Sequence, residues 1–202
     1  MKWYKYNIQT LTDVEYNRTY ALLSEDARCR VDRMPTAETK KRTVAGEMLA
    51  RTAIAAWCGV AEEDVSFAIG AHGKPYAPDL PVEFNVSHSG DWVVCAVDDR
   101  PVGIDVERIR PIDLKVAKRT FTEEELRYVF GHLPTAQELA PCADEGVLTR
   151  FFTCWTAREA YGKCLGVGLT TVAIPPDCGR RTILENGYVV TIVGDGVTDS
   201  TI

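Results

Sequence analysis

The sequence predicts a mixed α+β fold, because helix and strand patterns follow one another without the regular alternation of a parallel α/β sheet. Apolar residues recur at helical spacing through 37–57, and a second long helical pattern covers 148–165. Short β-branched runs separated by tight turns lie at 84–97 and 182–193, which is typical of antiparallel strands. With 202 residues, of which 46% are apolar, the chain is long enough for one medium-sized domain or two small halves.

The first half of the chain begins with a predicted strand at 3–9 and a charged, weakly periodic helical region at 12–30. Thr36 has the side chain of a helix N-cap, and the apolar face that follows predicts a helix ending at Gly59. The remaining elements are strands at 65–69, 84–88 and 92–97, the last two joined by a tight turn at 89–91.

The second half begins with an alternating strand at 102–107. Asp113 is a predicted cap for a helix at 114–119, and Thr122 with Glu125 has the spacing of a capping box for a helix that ends at Phe130. The elements expected after it are a loop at 131–147, a long helix at 148–165 stopped by Gly166-Val167-Gly168, and a hairpin around Asn186-Gly187 at 182–193.

The charge and the cysteine usage exclude several protein classes. The formal net charge is −6, which argues against a dedicated nucleic-acid binder. Seven cysteines without a C-x-x-C pair indicate buried free thiols in a reducing cytoplasm, and His72, His88 and His132 lack the spacing of zinc ligands. No secretory signal is apparent, and the longest apolar stretch, 53–61, is too short to cross a bilayer. We therefore expect a cytoplasmic protein with no membrane partner.

The most informative motif is the strand 102–107, because alternate residues of a strand share a face. Gly103, Asp105 and Glu107 lie on one face, so two carboxylates are neighbours. A divalent cation such as Mg²⁺ would relieve their repulsion, and Gly103 is expected to let a ligand approach the backbone. The alternative is a solvated strand face whose acids pair with Arg108 or Arg110.

The long helix contains a second group of candidate residues. Phe152, Trp155, Glu159 and Lys163 follow one another at intervals of three or four, so they form one stripe. Glu159 and Lys163 could simply form an ion pair within the helix. In the functional interpretation, Glu159 is a third carboxylate for the cation and Lys163 faces a phosphate.

A third candidate is the polar hairpin that contains Ser87 and His88. Adjacent strand residues point to opposite faces, so these two do not form a nucleophile–base pair, and no hydrolase elbow motif is present. The turn could hold an anion, or His88 could be satisfied locally at a polar hairpin tip. Lys74, in a Gly-Lys-Pro turn, adds one cation.

Together these segments resemble the Sfp-type 4′-phosphopantetheinyl transferases. The resemblance covers about 28–169, and it rests on four motifs in order. They are Gly73-Lys74-Pro75, Phe84-Asn85-Val86-Ser87-His88-Ser89-Gly90, Gly103-Ile104-Asp105-Val106-Glu107 and Trp155-Thr156-Ala157-Arg158-Glu159-Ala160-Tyr161-Gly162-Lys163. It implies an enzyme that moves the phosphopantetheine arm of coenzyme A onto a serine of a carrier protein and releases adenosine 3′,5′-bisphosphate.

The resemblance also implies roles for individual residues. Asp105, Glu107 and Glu159 match the family's Mg²⁺ ligands. Glu159, or a metal-bound water that it orients, matches the base that accepts the serine proton, and Lys163 matches the lysine on the pyrophosphate. On the nucleotide side, the matching residues are Arg42, Thr43, Lys74, Ser87 and His88, of which His88 resembles the histidine that binds the 3′-phosphate.

The implied fold is a monomer of two similar α+β halves related by a pseudo-twofold axis, with coenzyme A in the cleft between them. Residues 1–101 would form the half on the 3′-phosphate and adenine side, and 102–202 the half with the Mg²⁺ and the catalytic helix. Relatives continue after the hairpin with two further strands, so the second half is expected to be shortened at its C-terminus.

The partner implied by the resemblance is an acyl or peptidyl carrier protein. Carrier proteins are acidic, so a local basic patch is needed, and Lys115, Lys118 and Arg119 are the candidates. The alternative is a solvated amphipathic helix. Fatty-acid, polyketide and nonribosomal-peptide carriers all remain open, the last two in secondary metabolite biosynthesis. Two other functions also remain open, namely a non-catalytic coenzyme A or nucleotide-binding module and a Mg²⁺-dependent pyrophosphohydrolase.

Overall fold

The computed structural model describes residues 1–70, 73–167 and 173–197. The chain divides into two compact units, Met1–Val102 and Gly103–Ile202. Three positions named in the sequence analysis lie outside the described residues: His72, the helix end at Gly168 and the end of the resemblance at Leu169.

The first unit combines a three-stranded sheet, a two-stranded sheet and helices. Its described elements are β1 (Lys2–Asn7), α1 (Asp13–Leu22), α2 (Glu25–Asp32), α3 (Ala37–Cys58), β2 (Ala68–Ile69), β3 (Pro75–Tyr76), β4 (Glu83–Ser89) and β5 (Trp92–Asp98). Short 3₁₀ turns cover Ile8–Thr10 and Glu62–Asp64.

Side-chain caps fix the ends of these helices. Thr12 and Glu15 form a capping box at the start of α1, and the Ser24 side chain accepts from the backbone at the start of α2, so the predicted region 12–30 is two helices. The Thr36 side chain caps α3 as predicted. Gly59 ends α3 at φ +71°, a left-handed conformation that glycine adopts without strain.

The main sheet of the first unit has the order β1-β5-β4, with antiparallel pairs on both sides of β5. Cys95 in β5 pairs with Tyr4 on one side and with Val86 on the other. Helix α3 packs on this sheet and its apolar residues form the core with it. The buried core includes Ile8, Leu49, Ala53, Ile54, Phe84, Val93, Cys95 and Val97.

The second unit follows the same plan of a small sheet against a long helix. Its elements are β6 (Val102–Arg108, starting at the last residue of the first unit), β7 (Ile112–Asp113), α4 (Ala117–Thr120), α5 (Glu123–Phe130), β8 (Pro141–Cys142), α6 (Glu145–Leu165), β9 (Arg180–Glu185) and β10 (Tyr188–Gly194). A 3₁₀ turn at Leu114–Val116, capped by Asp113 as predicted, precedes α4.

The sheet of the second unit has the order β6-β10-β9. The predicted hairpin is confirmed, with Asn186 and Gly187 at positive φ between β9 and β10. Helix α6 packs on β10, where the Thr156 hydroxyl lies 2.8 Å from that of Thr191 in the buried interface. The apolar core of this unit includes Leu114, Phe121, Val129, Leu148, Phe151, Phe152 and Val189.

Several elements differ from those predicted, among them the strand predicted at 3–9, which ends at Asn7 because Ile8–Thr10 forms a 3₁₀ turn. Helix α6 begins at Glu145 because the Asp144 side chain caps it, and β8 pairs with β7 inside the region predicted as a loop. The predicted strand 65–69 is reduced to Ala68–Ile69, because a 3₁₀ turn at Glu62–Asp64 occupies the chain just before Val65.

The prediction of the α+β class is confirmed, since each unit contains a three-stranded sheet and one long helix. Within the described residues no disulfide joins the cysteines. The expectation that they are buried is correct for Cys95 and Cys154, whose thiol pKa burial raises to about 12, but it is wrong for Cys29, which is exposed. No helix in the described ranges has both the length and the apolar character required to cross a bilayer.

Candidate functional site

Strand β6 presents Gly103, Asp105 and Glu107 towards α6. Asp105 is buried and Glu107 is half-buried. A methyl group on Gly103 would overlap the carbonyl oxygen of Ala160 and lie 2.6 Å from the amide nitrogen of Cys164. The expectation that Gly103 leaves room for a ligand is therefore wrong, because the backbone of α6 fills that space.

The close approach of β6 and α6 brings a carboxylate of the strand into contact with a lysine of the helix. Lys163 Nζ in α6 donates to Asp105 Oδ1 at 2.6 Å. Asp105 is only 4% exposed, so the ammonium group compensates much of the cost of a buried negative charge. Two residues that lie far apart in sequence are thus brought into direct contact.

Glu107 has a second cationic neighbour. Arg110 Nη1 donates to Glu107 Oε2 at 2.9 Å, and the guanidinium of Arg110 lies 5.2 Å from the ring centre of Phe152. This is the pairing that the solvated-face interpretation of the strand expects. It is compatible with the functional interpretation, because Arg110 is exposed and its bond to Glu107 can rearrange around a ligand.

Glu159 lies in the electrostatic field of the same cluster. Burial raises the pKa of its carboxyl group; the Asp105 charge raises it further, Lys163 lowers it, and Glu107 raises it. The three predicted carboxylates and the predicted lysine therefore interact electrostatically within one unit. Such a cluster can take up a proton or a cation at low cost.

A magnesium ion is the metal to test against this cluster. Across the described ranges, no group of three or more His, Cys, Asp or Glu side chains is arranged so that it could hold a metal ion. The donor chemistry nevertheless fits Mg²⁺, because hard carboxylate oxygens repel one another on a partly buried surface. Asp105 and Glu107 are paired with Lys163 and Arg110, so binding of the ion requires these side chains to shift.

A buried arginine that the sequence did not single out anchors α6. Arg158 is fully buried, and its guanidinium donates to both carboxylate oxygens of Glu125 at 2.6–3.0 Å. Glu125 also accepts from Thr122 in the capping box of α5. One carboxylate thus caps α5 and ties it to the helix that bears Glu159 and Lys163.

The first unit contains a cavity of about 240 Å³ next to the predicted nucleotide-side residues. Arg42, Thr43 and His88 all line it. Phe84, Val86 and His88 share the face of β4 that forms the wall of this cavity, as strand alternation requires. Arg42 Nη1 donates to the carbonyl oxygen of Gly90 at 3.1 Å, which fixes α3 to the turn after β4.

The other two predicted nucleotide-side residues are placed differently. Ser87 is buried, and it lies on the face of β4 opposite His88. Lys74 Nζ lies 3.5 Å from Glu83 Oε2, just before Pro75 of the cavity wall. The structure therefore brings His88 together with Arg42 and Thr43, but it does not bring the Ser87 side chain to this cavity.

The cavity wall also includes a carboxylate that sequence reasoning missed. Burial raises the pKa of Glu47, while Arg51 and, more weakly, Arg30 lower it. Arg51 Nη2 donates to Glu47 Oε1 at 2.9 Å, one turn along α3. The signal was present in the sequence, because Arg51 interrupts the apolar face that includes Met48.

The candidate docking residues of the second unit lie at its surface. Lys115, Lys118 and Arg119 are exposed, whereas Leu114 and Ala117 beside them are buried. The segment is therefore amphipathic, with its cations towards solvent.

Comparisons with known proteins show the family to which this chain belongs. Residues 101–188 match the family model of the 4′-phosphopantetheinyl transferase superfamily, and residues 10–100 match the model of the 4′-phosphopantetheinyl transferase N-terminal region. A 4′-phosphopantetheinyl transferase of Bacillus subtilis is 34% identical over 192 residues, covering 95% of this chain and 80% of the relative.

Two further relatives have similar names. The 4′-phosphopantetheinyl transferase Sfp of Bacillus subtilis strain 168 is 35% identical, over 91% of this chain and 77% of its own length. The 4′-phosphopantetheinyl transferase HetI of a Nostoc species is 36% identical, over 74% of this chain and 62% of its own. The chain therefore belongs to the Sfp-type family of 4′-phosphopantetheinyl transferase enzymes.

Proposed function

We propose that this protein transfers the 4′-phosphopantetheine arm of coenzyme A to a serine hydroxyl of an acyl or peptidyl carrier protein, with Mg²⁺ as cofactor. The serine oxygen forms a bond to the phosphorus that bears the pantetheine. The bond from that phosphorus to the adenosine bisphosphate breaks, and adenosine 3′,5′-bisphosphate leaves.

The observation that supports this proposal most directly is the cluster of Asp105, Glu159 and Lys163. Asp105, Glu107 and Glu159 would hold the Mg²⁺, which when bound neutralises charge on the pyrophosphate. Glu159 accepts the serine proton, because its carboxylate lies in the same charged cluster as Asp105 and Lys163. Lys163 offsets the charge that develops on the leaving phosphate.

On the nucleotide side, the cavity of the first unit supports binding of the adenosine 3′,5′-bisphosphate moiety. His88 and Arg42 contact the 3′-phosphate, and Thr43 lines the pocket beside them. Lys74 adds positive charge at the edge of this pocket. Ser87 lies on the opposite face of β4, so in this proposal it supports the strand and does not contact the nucleotide directly.

The carrier protein docks on the exposed cations Lys115, Lys118 and Arg119. The net charge of −6 makes a local patch of this kind necessary for an acidic partner. We further propose that the protein acts as a cytoplasmic monomer and serves carriers of secondary metabolism.

Mass spectrometry of an apo carrier protein incubated with coenzyme A and Mg²⁺ tests the proposal. We expect one serine to gain the phosphopantetheine mass, and omission of Mg²⁺ to abolish the gain. Cleavage of coenzyme A without modification of the carrier would instead indicate a pyrophosphohydrolase. Binding of coenzyme A without either reaction would indicate a non-catalytic module.

A further inference from the structure

Arg51 is a buried cation of the first unit that contacts two other segments of the chain and a carboxylate of its own helix. It is 7% exposed, and its guanidinium donates to the backbone carbonyl oxygens of Val65, Leu22 at 3.3 Å and Glu62 at 3.4 Å. It also donates to the Glu47 carboxylate at 2.9 Å. Backbone contacts with two segments, at Leu22 and at 62–65, explain why Arg51 is buried, but they do not explain its contact with Glu47.

Two of the contacts of Arg51 reach the wall of the 240 Å³ cavity. Glu47 and Phe67 both line this cavity. The Arg51 guanidinium lies 4.9 Å from the centre of the Phe67 ring, which in turn packs against Phe84 at 5.3 Å. Arg51 therefore lies behind the wall and contacts one charged and one aromatic residue of it.

The charge of Glu47 creates a difficulty for a pocket that binds an anion. A carboxylate on the wall repels a phosphate, and partial burial strengthens the repulsion because solvent screens it less. Arg51 lies one helical turn after Glu47, so it can hold the carboxylate against α3 and cancel its charge.

We infer that Arg51 is a positioning residue of the nucleotide-side pocket: by holding and neutralising Glu47 and by supporting the Phe67 ring, it makes the pocket able to accept a 3′-phosphorylated nucleotide. This inference rests on the proposed function for the identity of the ligand. Arg51 itself need not touch the nucleotide, because it acts through Glu47 and Phe67.

The test is titration calorimetry of the full-length protein with adenosine 3′,5′-bisphosphate and with adenosine 5′-monophosphate. For Arg51→Met we expect the Kd for the bisphosphate to rise about tenfold, as for one uncompensated charge close to a phosphate. The Kd for the monophosphate, which lacks the 3′-phosphate, should change much less. In transfer assays the KM for coenzyme A should rise while kcat is retained.

A double variant separates positioning from mere stability. Glu47→Gln combined with Arg51→Met removes both charges, so bisphosphate affinity should recover although the protein is no more stable than Arg51→Met. Arg18→Met is the matched control, because Arg18 pairs with Glu62 and Glu63 away from this cavity and its loss should leave the Kd unchanged. If the double variant binds as weakly as Arg51→Met, the inference is overturned.

Two further results keep the test decisive. If Arg51→Met does not fold, Glu47→Gln alone still decides, since it should bind the bisphosphate severalfold more tightly, and unchanged or weaker binding would overturn the inference. A wild-type protein that binds the bisphosphate but never modifies a carrier refutes the proposed function, and the variants still decide the role of Arg51. A wild-type protein that binds no bisphosphate overturns the inference about Arg51.

Discussion

Replacement of Gly103 by alanine tests whether the backbone contact between β6 and α6 builds the charged cluster. The added methyl carbon would overlap the carbonyl oxygen of Ala160 and lie 2.6 Å from Cys164 N and 3.0 Å from the Ala160 carbonyl carbon. Real methyl groups stay at least 3.0 Å from such atoms, and all three belong to helix backbone, so no side-chain rotation relieves the overlap.

The strand and the helix must therefore separate. Overpacking of this kind costs about 3 kcal/mol or more when backbone has to move. The separation also lengthens the 2.6 Å contact between Asp105 and Lys163, because these residues lie on the two elements that are pushed apart. A misplacement of about 1 Å in a catalytic group lowers turnover by about a hundredfold.

Urea unfolding and transfer kinetics measure the two effects separately. We expect Gly103→Ala to lower the free energy of unfolding by about 3 kcal/mol and kcat by about a hundredfold in the fraction that remains folded. Gly146→Ala in the first turn of α6 is the matched control, since its methyl group meets only side-chain atoms of Asp144 and Arg150. Its stability should stay within about 1 kcal/mol of wild type. Wild-type stability in Gly103→Ala would refute the packing argument.

Three further predictions concern single side chains. Glu159→Gln should retain coenzyme A binding by calorimetry but lose about a hundredfold or more in kcat, because the amide cannot accept the serine proton, and unchanged turnover at saturating Mg²⁺ would contradict this role. His88→Ala should raise the KM for coenzyme A more than it lowers kcat, and a wild-type enzyme that uses 3′-dephospho-coenzyme A equally well would show that His88 has another role. Glu125→Ala should lower the free energy of unfolding by about 3–5 kcal/mol because it leaves the charge of Arg158 buried without its carboxylate. The control for the last is Glu123→Ala, an exposed residue whose loss should cost less than about 1 kcal/mol in the same urea titration.

Local signals were sufficient to predict most of the secondary structure. The Thr36 cap, the Thr122 and Glu125 capping box and the Asn186-Gly187 turn act within a few residues, so they can be recognised without knowledge of tertiary contacts. The short pairing of β7 with β8 was missed for the opposite reason. Each strand has only two residues, and their pairing depends on packing between segments far apart in sequence.

The candidate site was predictable in its residue types but not in its contacts. Strand alternation put Asp105 and Glu107 on one face, and helical spacing put Glu159 and Lys163 on one stripe. Neither pattern could show that the room beside Gly103 is filled by helix backbone. A glycine looks the same in a sequence whether a ligand or a helix occupies the space beside it.

Buried arginines were the other omission. Arg158 looks like an ordinary polar position in a sequence, where arginine is mostly exposed, and the only sign of Arg51 is that it interrupts the apolar face of α3. Their burial depends on carbonyl oxygens and carboxylates contributed by other segments, such as Val65 for Arg51 and Glu125 for Arg158. Only the tertiary structure brings these acceptors together.

The central place of β5 in its sheet has a consequence for synthesis of the chain. Lys2 of β1 pairs with Val97 of β5, so the first strand made has to wait for almost the whole unit before its partner emerges from the ribosome. Helix α3 can form earlier, but the sheet on which it packs cannot exist before β5. A nascent chain that ends before Trp92 should therefore expose the apolar face of α3 to chaperones, and pairing of such distant segments should make this unit a slow folder.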